Sequence, residues 1–192
     1  VAAVDKSLVG EVGEGNRKDI RNAVEAAHAA ASWARRSAHG RAQVLFFLAE
    51  NLEVRASEFA RRIRDLTKTD GEAEVHAAIA RLMYYVGWCD KFEGIVHHAP
   101  AGRIVFAMPE PIGVLGLVCP QNHPLLGLIS MMAPAIAVGN TVVVIPSEEA
   151  PLVATDFYQV LETSDVPAGV VNIITGSRSE LAKELSRHDN VD

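Results

Sequence analysis

At 192 residues the chain matches one domain of roughly 150 residues with an appendage, and it is too short for a long repeat array. With 49% hydrophobic and 22% charged residues it carries the material for a packed core, which excludes intrinsic disorder. Its 18 basic and 24 acidic side chains sum to −6 and the cations are scattered, which argues against a nucleic-acid partner or an anionic membrane surface.

Val1 is neither a methionine nor the start of a signal-like segment, and Asn190-Val191-Asp192 carries no helix stop, so the ends read as those of a piece of a longer polypeptide. Asn16 can cap a first helix in which Ile20, Val24, Ala27, Ala31 and Ala34 recur at helical spacing, with Asp19 favoured by the dipole in the first turn. After Gly40, Val44, Leu45, Leu48 and Leu52 predict a second helix. After a cap at Ser57, Phe59, Ile63 and Leu66 predict a third, closed by Gly71. A fourth carries Val75, Ile79, Leu82 and Val86 on one stripe and ends near Gly94. Met83, Tyr84, Tyr85 and Trp88 crowd that helix and read as core packing, not as a cofactor box.

His97-His98 has no acidic or cysteine partner at metal-ligand spacing and reads as a surface loop pair. Arg103 to Met108 predicts a strand ended by Pro109 and Pro111. Such a prolined, partly charged strand belongs at an edge or on a hairpin arm, where it can pair with another chain.

Beyond Ile112 short apolar runs alternate with helical segments. Strands are predicted at Gly113 to Cys119, Thr141 to Ile145 and Val170 to Ile174, and helices at Pro124 to Val138, Pro151 to Leu161 and Ser179 to Leu185. This βαβαβα order calls for a parallel sheet covered on both faces, with its ligand site beyond the carboxyl ends of the strands. The most apolar stretch, Leu125 to Val138, falls short of the ~20 residues a membrane helix needs and contains Pro134. Cys89 and Cys119, thirty positions apart, form neither a disulfide scaffold nor a zinc motif, and a reducing, cytoplasmic compartment is expected.

Three loops follow the strands: Pro120 to Pro124, Pro146 to Ala150, and Thr175 to Ser179. None is a Gly-x-Gly-x-x-Gly turn or a Walker loop. Asn122 is either an amide donor for an oxyanion or a helix cap before Pro124. Glu148 either accepts hydrogen bonds from ribose hydroxyls or belongs to a solvated helix start. His123 has no nearby nucleophile, so no triad is indicated, and Cys119 before a proline at a strand end reads as buried.

Longer motifs run through the same loops: Glu110-Pro111-Ile112-Gly113-Val114, Pro120-Gln121-Asn122-His123-Pro124, and Ala133-Pro134-Ala135-Ile136-Ala137-Val138-Gly139-Asn140-Thr141. Pro146-Ser147-Glu148, Val166-Pro167-Ala168-Gly169 and Thr175-Gly176 continue them, and Gly87-Trp88-Cys89-Asp90-Lys91 precedes them. Together they resemble the NAD(P)-dependent aldehyde dehydrogenase superfamily along essentially the whole chain. The resemblance implies an α/β fold with a variant Rossmann parallel sheet. It divides the chain into N-terminal helices (1–94), the start of a bridging or oligomerisation hairpin (95–109), and an incomplete NAD(P)-binding segment (110–192).

It also implies that Asn122 donates to the oxyanion, that Glu148 holds the adenosine ribose, and that Pro120, Gln121, Ser147 and Gly176 line the cofactor site. A homo-oligomer joined through the bridging strand is expected. Where the family usually has tryptophan, phenylalanine, lysine and two glycines, this chain has Gln121, His123, Ile145, Arg178 and Ala182. Loss of the lysine cation at Ile145 ranks first among these and predicts weakened NAD or NADP binding. Such departures resemble the degenerate second module of the tandem-repeat branch, family sixteen. That resemblance implies a non-catalytic module, a pseudoenzyme, fused to a catalytic one, the alternative being the cofactor-binding part of an active module. The family's nucleophilic cysteine and general-base glutamate lie beyond residue 192, and neither Cys89 nor Cys119 stands at the nucleophile's position.

Overall fold

The run Thr141-Val142-Val143-Val144-Ile145 is apolar almost throughout, so a strand built from it has two faces to bury. In the computed structural model, which describes residues 1–92, 94–100 and 102–192, all five residues are buried and their strand lies at the centre of a three-stranded parallel sheet. In chain order the elements are α1 (Arg17–Ala29), α2 (Ala38–Val54), α3 (Ala56–Thr67), α4 (Gly71–Trp88), β1 (Ile95–Ala99) and β2 (Arg103–Ala107). Then come β3 (Val114–Val118), α5 (Pro124–Ala137), β4 (Thr141–Ile145), α6 (Pro151–Thr163), β5 (Val171–Ile173) and α7 (Arg178–Leu185).

The sheet order is β3-β4-β5, with Val118 opposite Ile145 and Val144 opposite Ile173. Alternation along β4 divides the core. Val142 and Val144 join the large cluster built from α2 to α6, while Val143 and Ile145 pack with Ile20 and Val24 of α1 and Leu181 and Leu185 of α7. The α/β reading and the covered parallel sheet therefore hold, with strand boundaries within one residue of those expected.

Several helix boundaries differ from the sequence reading. Helix α1 stops at Ala29 and a 3-10 turn, Ala31–Arg35, follows. Ala31 and Ala34 are exposed, and Trp33 is buried between them. Bending the chain buries a whole indole where a straight helix would bury two methyl groups, and the indole N–H donates to the Ile136 carbonyl at 2.9 Å. Helix α2 starts at Ala38 under a Ser37 cap, so Gly40 lies inside it. Ser57 is likewise inside α3, which has no side-chain cap at its start and ends at Thr67, with Lys68 after it in the left-handed region.

Gly71 opens α4 instead of closing α3. Asp70 caps the Ala73 N–H at 3.1 Å, and a Cβ at residue 71 would collide with the Ala60 carbonyl oxygen, so α3 and α4 cross through this hydrogen atom. Helix α4 ends at Trp88, short of Gly94. Its buried stripe is Val75, Ala78 and Leu82, which leaves Met83, Tyr84 and Trp88 exposed at 43%, 56% and 39%, against the expectation that they pack in the core. The residues His97 and His98 belong to strand β1, not a loop, and are exposed. Strands β1 and β2 form an antiparallel hairpin, with Ile95 opposite Ala107, whose Val96, Ile104 and Phe106 side chains are exposed. Among the described residues no helix is long and apolar enough to cross a membrane.

Candidate functional site

The loops after β3, β4 and β5 meet beyond the carboxyl edge of the sheet, where the pleated strands end and helix N-termini begin. Asn122 is exposed there and does not cap α5. That position falls to His123, which makes no side-chain cap bond and adopts a left-handed conformation with φ 56°. The N-terminus of α5 is satisfied from another element. Glu74 of α4, 4% exposed, accepts from the N–H groups of Leu125 at 2.9 Å and Leu126 at 3.1 Å through Oε1. Its Oε2 is buried without a hydrogen-bond partner and lies 3.6 Å from His123 Nδ1. A buried carboxylate on a helix N-terminus is favoured by the dipole and by two orphan donors at once.

The second loop is tied to the first by Gln121. Its Oε1 accepts from Ser147 Oγ at 3.0 Å, from the Glu148 N–H at 2.9 Å and from the Glu149 N–H at 3.3 Å. Ser147 is fully buried, donates also to the Gln121 carbonyl, and accepts from the Ala150 N–H. Glu148 in turn joins the second loop to the third: its Oε2 accepts from the Arg178 N–H at 3.0 Å, at the first residue of α7. Pro120 is exposed on the first loop and its ring faces Gly127 of α5. Gly176 in the third loop has φ 144°, a conformation that favours glycine.

Ile145 is fully buried among α1 and α7 side chains. The Arg178 Nε is buried without a partner. Other motif residues do structural work. Asn140 Oδ1 accepts from the Gly113 N–H at 3.0 Å, and Asn172 Nδ2 donates to the Val142 and Gly169 carbonyls at 3.1 and 2.7 Å. The described residues contain no cluster of three or more histidine, cysteine or acidic side chains able to hold a metal.

Burial pushes both thiols up. Cys119 is pushed up to about 12 by desolvation, with the nearby Arg178 charge acting in the opposite sense. For Cys89 desolvation again outweighs the opposing Arg41 charge. A thiol held neutral is a poor nucleophile. At pH 8 neither cysteine is expected to react with iodoacetamide in the folded protein, and mass spectrometry showing a labelled Cys119 would contradict this. The sign of the linked stability follows. A raised folded value keeps the Cys119 contribution intact below the ordinary 9.0 and loses it as pH climbs toward 12.

Parallel strands with the crossover helices α5 and α6 on one face, α1 and α7 on the other, and three interlinked loops at their carboxyl edge define a Rossmann-like architecture. The chain belongs to the aldehyde dehydrogenase family, whose model matches residues 1–192. It is 35% identical to human retinaldehyde dehydrogenase 3 over 189 residues, covering 94% of this chain and 37% of that protein. Against cytosolic 10-formyltetrahydrofolate dehydrogenase of Xenopus tropicalis it is 32% identical, covering all of this chain and 22% of the relative.

A point mutant of betaine aldehyde dehydrogenase from Staphylococcus aureus, solved with NAD+, superposes with a TM-score of 0.95 at 28% identity, over 100% of this chain and 40% of that one. An indole-3-acetaldehyde dehydrogenase in its apo form gives 0.96 at 29% identity, over 100% of this chain and 47% of its own. The chain thus spans less than half the length of these relatives.

The lining of these three loops offers a dinucleotide a poor fit. One oxygen of the carboxylate that would accept from ribose hydroxyls is shared with the Arg178 N–H, and the strand end that would carry a cation carries buried Ile145. Gln121 spends its acceptor on the second loop's own backbone.

Proposed function

We propose that this segment is a non-catalytic module of a larger protein of the dehydrogenase class that oxidises aldehydes with NAD(P)+, serving structure or partner docking. The observation that carries the reading is Ile145: the end of β4, where a cation would face the cofactor, carries a fully buried aliphatic side chain, and one oxygen of the neighbouring Glu148 carboxylate, Oε2, already accepts from a backbone N–H of α7. On this reading Asn122, Pro120, Gln121, Ser147, Glu148 and Gly176 are a vestigial form of the family site, in a cytoplasmic protein. The proposal keeps the division into helices (1–94), hairpin (95–109) and cofactor-domain segment (110–192). Self-association through β1–β2 is part of it, because an isolated two-stranded hairpin with exposed Ile95, Val96, Ile104 and Phe106 gains most by being covered.

Calorimetric titration of NAD+ into the intact protein and its Glu148→Gln variant tests the reading. Superimposable isotherms are expected. A tenfold loss of affinity, or loss of one binding site per chain, would overturn it and place Glu148 in a working ribose site. One observation favours that second reading, an active module: the segment carrying Asn122 is anchored by a buried carboxylate, as an oxyanion donor requires.

A further inference from the structure

Four cations that lie far apart in sequence converge on one groove. The start of α1 and the end of α7, with the residues just after it, wall a cavity of about 710 Å³. Arg17, Lys18, Arg21 and Arg187 line it against the single carboxylate of Glu184, a local reversal of sign on a chain of net charge −6. The ion pairs present do not cancel it. Arg17 Nε lies 3.5 Å from Glu184 and Arg21 Nε 3.7 Å from Glu25, in solvent-exposed geometry where such pairs contribute little. Asp19, the acid of the first turn, is committed to the Asn16 N–H at 2.9 Å. Lys18 and Arg187 form no ion pair among the described residues. His188 adds a neutral donor to the wall: its Nδ1 accepts from the Asn190 N–H at 3.3 Å, which leaves the ring proton on Nε2.

The placement of these charges runs against local preference. Arg187, just past the end of α7, is favoured by that helix's dipole and needs no further explanation. Arg17 and Lys18 sit in the first turn of α1, at its positive end, and Arg21 lies one turn on from Arg17, so the three repel one another and the helix end. A bound anion relieves that repulsion. We infer that the groove between α1 and α7 binds a compact polyanion of three or more charges, a phosphate chain, through the side chains of Arg17, Lys18, Arg21, Arg187 and His188. One carboxylate would leave most of these donors unused, and the volume falls in the range of small-molecule sites. The N–H groups at the start of α1 take no part, because Asn16 caps them. None of the three loops at the carboxyl edge of the sheet lines the groove, so the inference goes beyond the reading proposed above and does not depend on it.

Calorimetric titration of inorganic tripolyphosphate, free of divalent metal, into the intact protein at low salt tests the assignment. One site per chain is expected, weakening as salt shortens the screening length from ~30 Å at 0.01 M to ~10 Å at 0.1 M. The double variant Lys18→Gln/Arg187→Gln removes two charges that form no ion pair, so without ligand it should melt with the parent, and its tripolyphosphate affinity should fall about thirtyfold. ATP, as a second probe, identifies the source of the chain. Affinity equal to or below that of tripolyphosphate means that the phosphates alone are recognised, and tighter binding that the double variant loses means a nucleotide. No saturable binding of tripolyphosphate, or a loss of threefold or less in the double variant, overturns the inference. Whether NAD+ binds decides the earlier reading and not this one, because the double variant alters no residue of the three loops.

Discussion

Replacing Trp33 with alanine is expected to lower the stability of the intact protein by about 4 kcal/mol, because the site cannot collapse around the lost indole. Trp33 is 2% exposed, its N–H bonds the Ile136 carbonyl near the end of α5, and the Arg36 guanidinium lies 5.6 Å from its ring centre. Removing it leaves an apolar void and deprives a buried carbonyl of its side-chain donor, two costs that act together. For a domain of this size such a loss lowers the melting temperature by about 10 °C, measurable by calorimetry. Trp33→Phe should recover most of the volume but not the hydrogen bond and is expected to fall between the two. A Trp33→Ala protein melting with the parent would show that the 3-10 turn is not part of the core.

The same residue shows why helix ends are hard to read. Ala31 and Ala34 continue the periodic stripe of α1, and periodicity carries no penalty for passing over a tryptophan between them. Only the position of α5, set by contacts more than a hundred residues away in sequence, makes bending worthwhile. Gly71 misleads for a related reason. A glycine after a helix reads as a stop, yet here it is the space through which α3 reaches α4, a requirement of a neighbour's carbonyl. By contrast the strand Thr141 to Ile145 is legible to the residue, since an unbroken apolar run between turn signals fits only a strand buried on both faces.

The crevice is half legible. Its three loops follow from the βαβ order, and Gln121, Ile145 and Arg178 are visible as departures from a family pattern. What those departures do is not visible. Gln121 exchanges an aromatic surface for an acceptor that three groups of the next loop share. Glu14 gives no signal at all, because an exposed glutamate ahead of a helix cap resembles many others until the segment before α1 is seen lying on Thr175.

Glu74 is equally silent: an acid in the first turn of a helix is what the dipole favours, and nothing local says that this one is buried. Glu74→Ala is expected to cost about 3 kcal/mol, since it leaves the buried Leu125 N–H without its acceptor and opens a void between α4 and α5. One opposing effect keeps the figure from being larger. The parent already buries an oxygen, Oε2, with no hydrogen-bond donor of its own, and alanine removes that burden. Glu74→Gln separates the contributions, because its amide oxygen can accept from Leu125 and Leu126 while the charge on the helix end is gone. It should retain more than half of the lost stability. Amide hydrogen exchange supplies the local readout: Leu125 and Leu126 should exchange much faster in Glu74→Ala and remain protected in Glu74→Gln. If both amides stay protected in the alanine protein, α5 is capped by its own loop, and the segment carrying Asn122 owes its position to α5 packing alone.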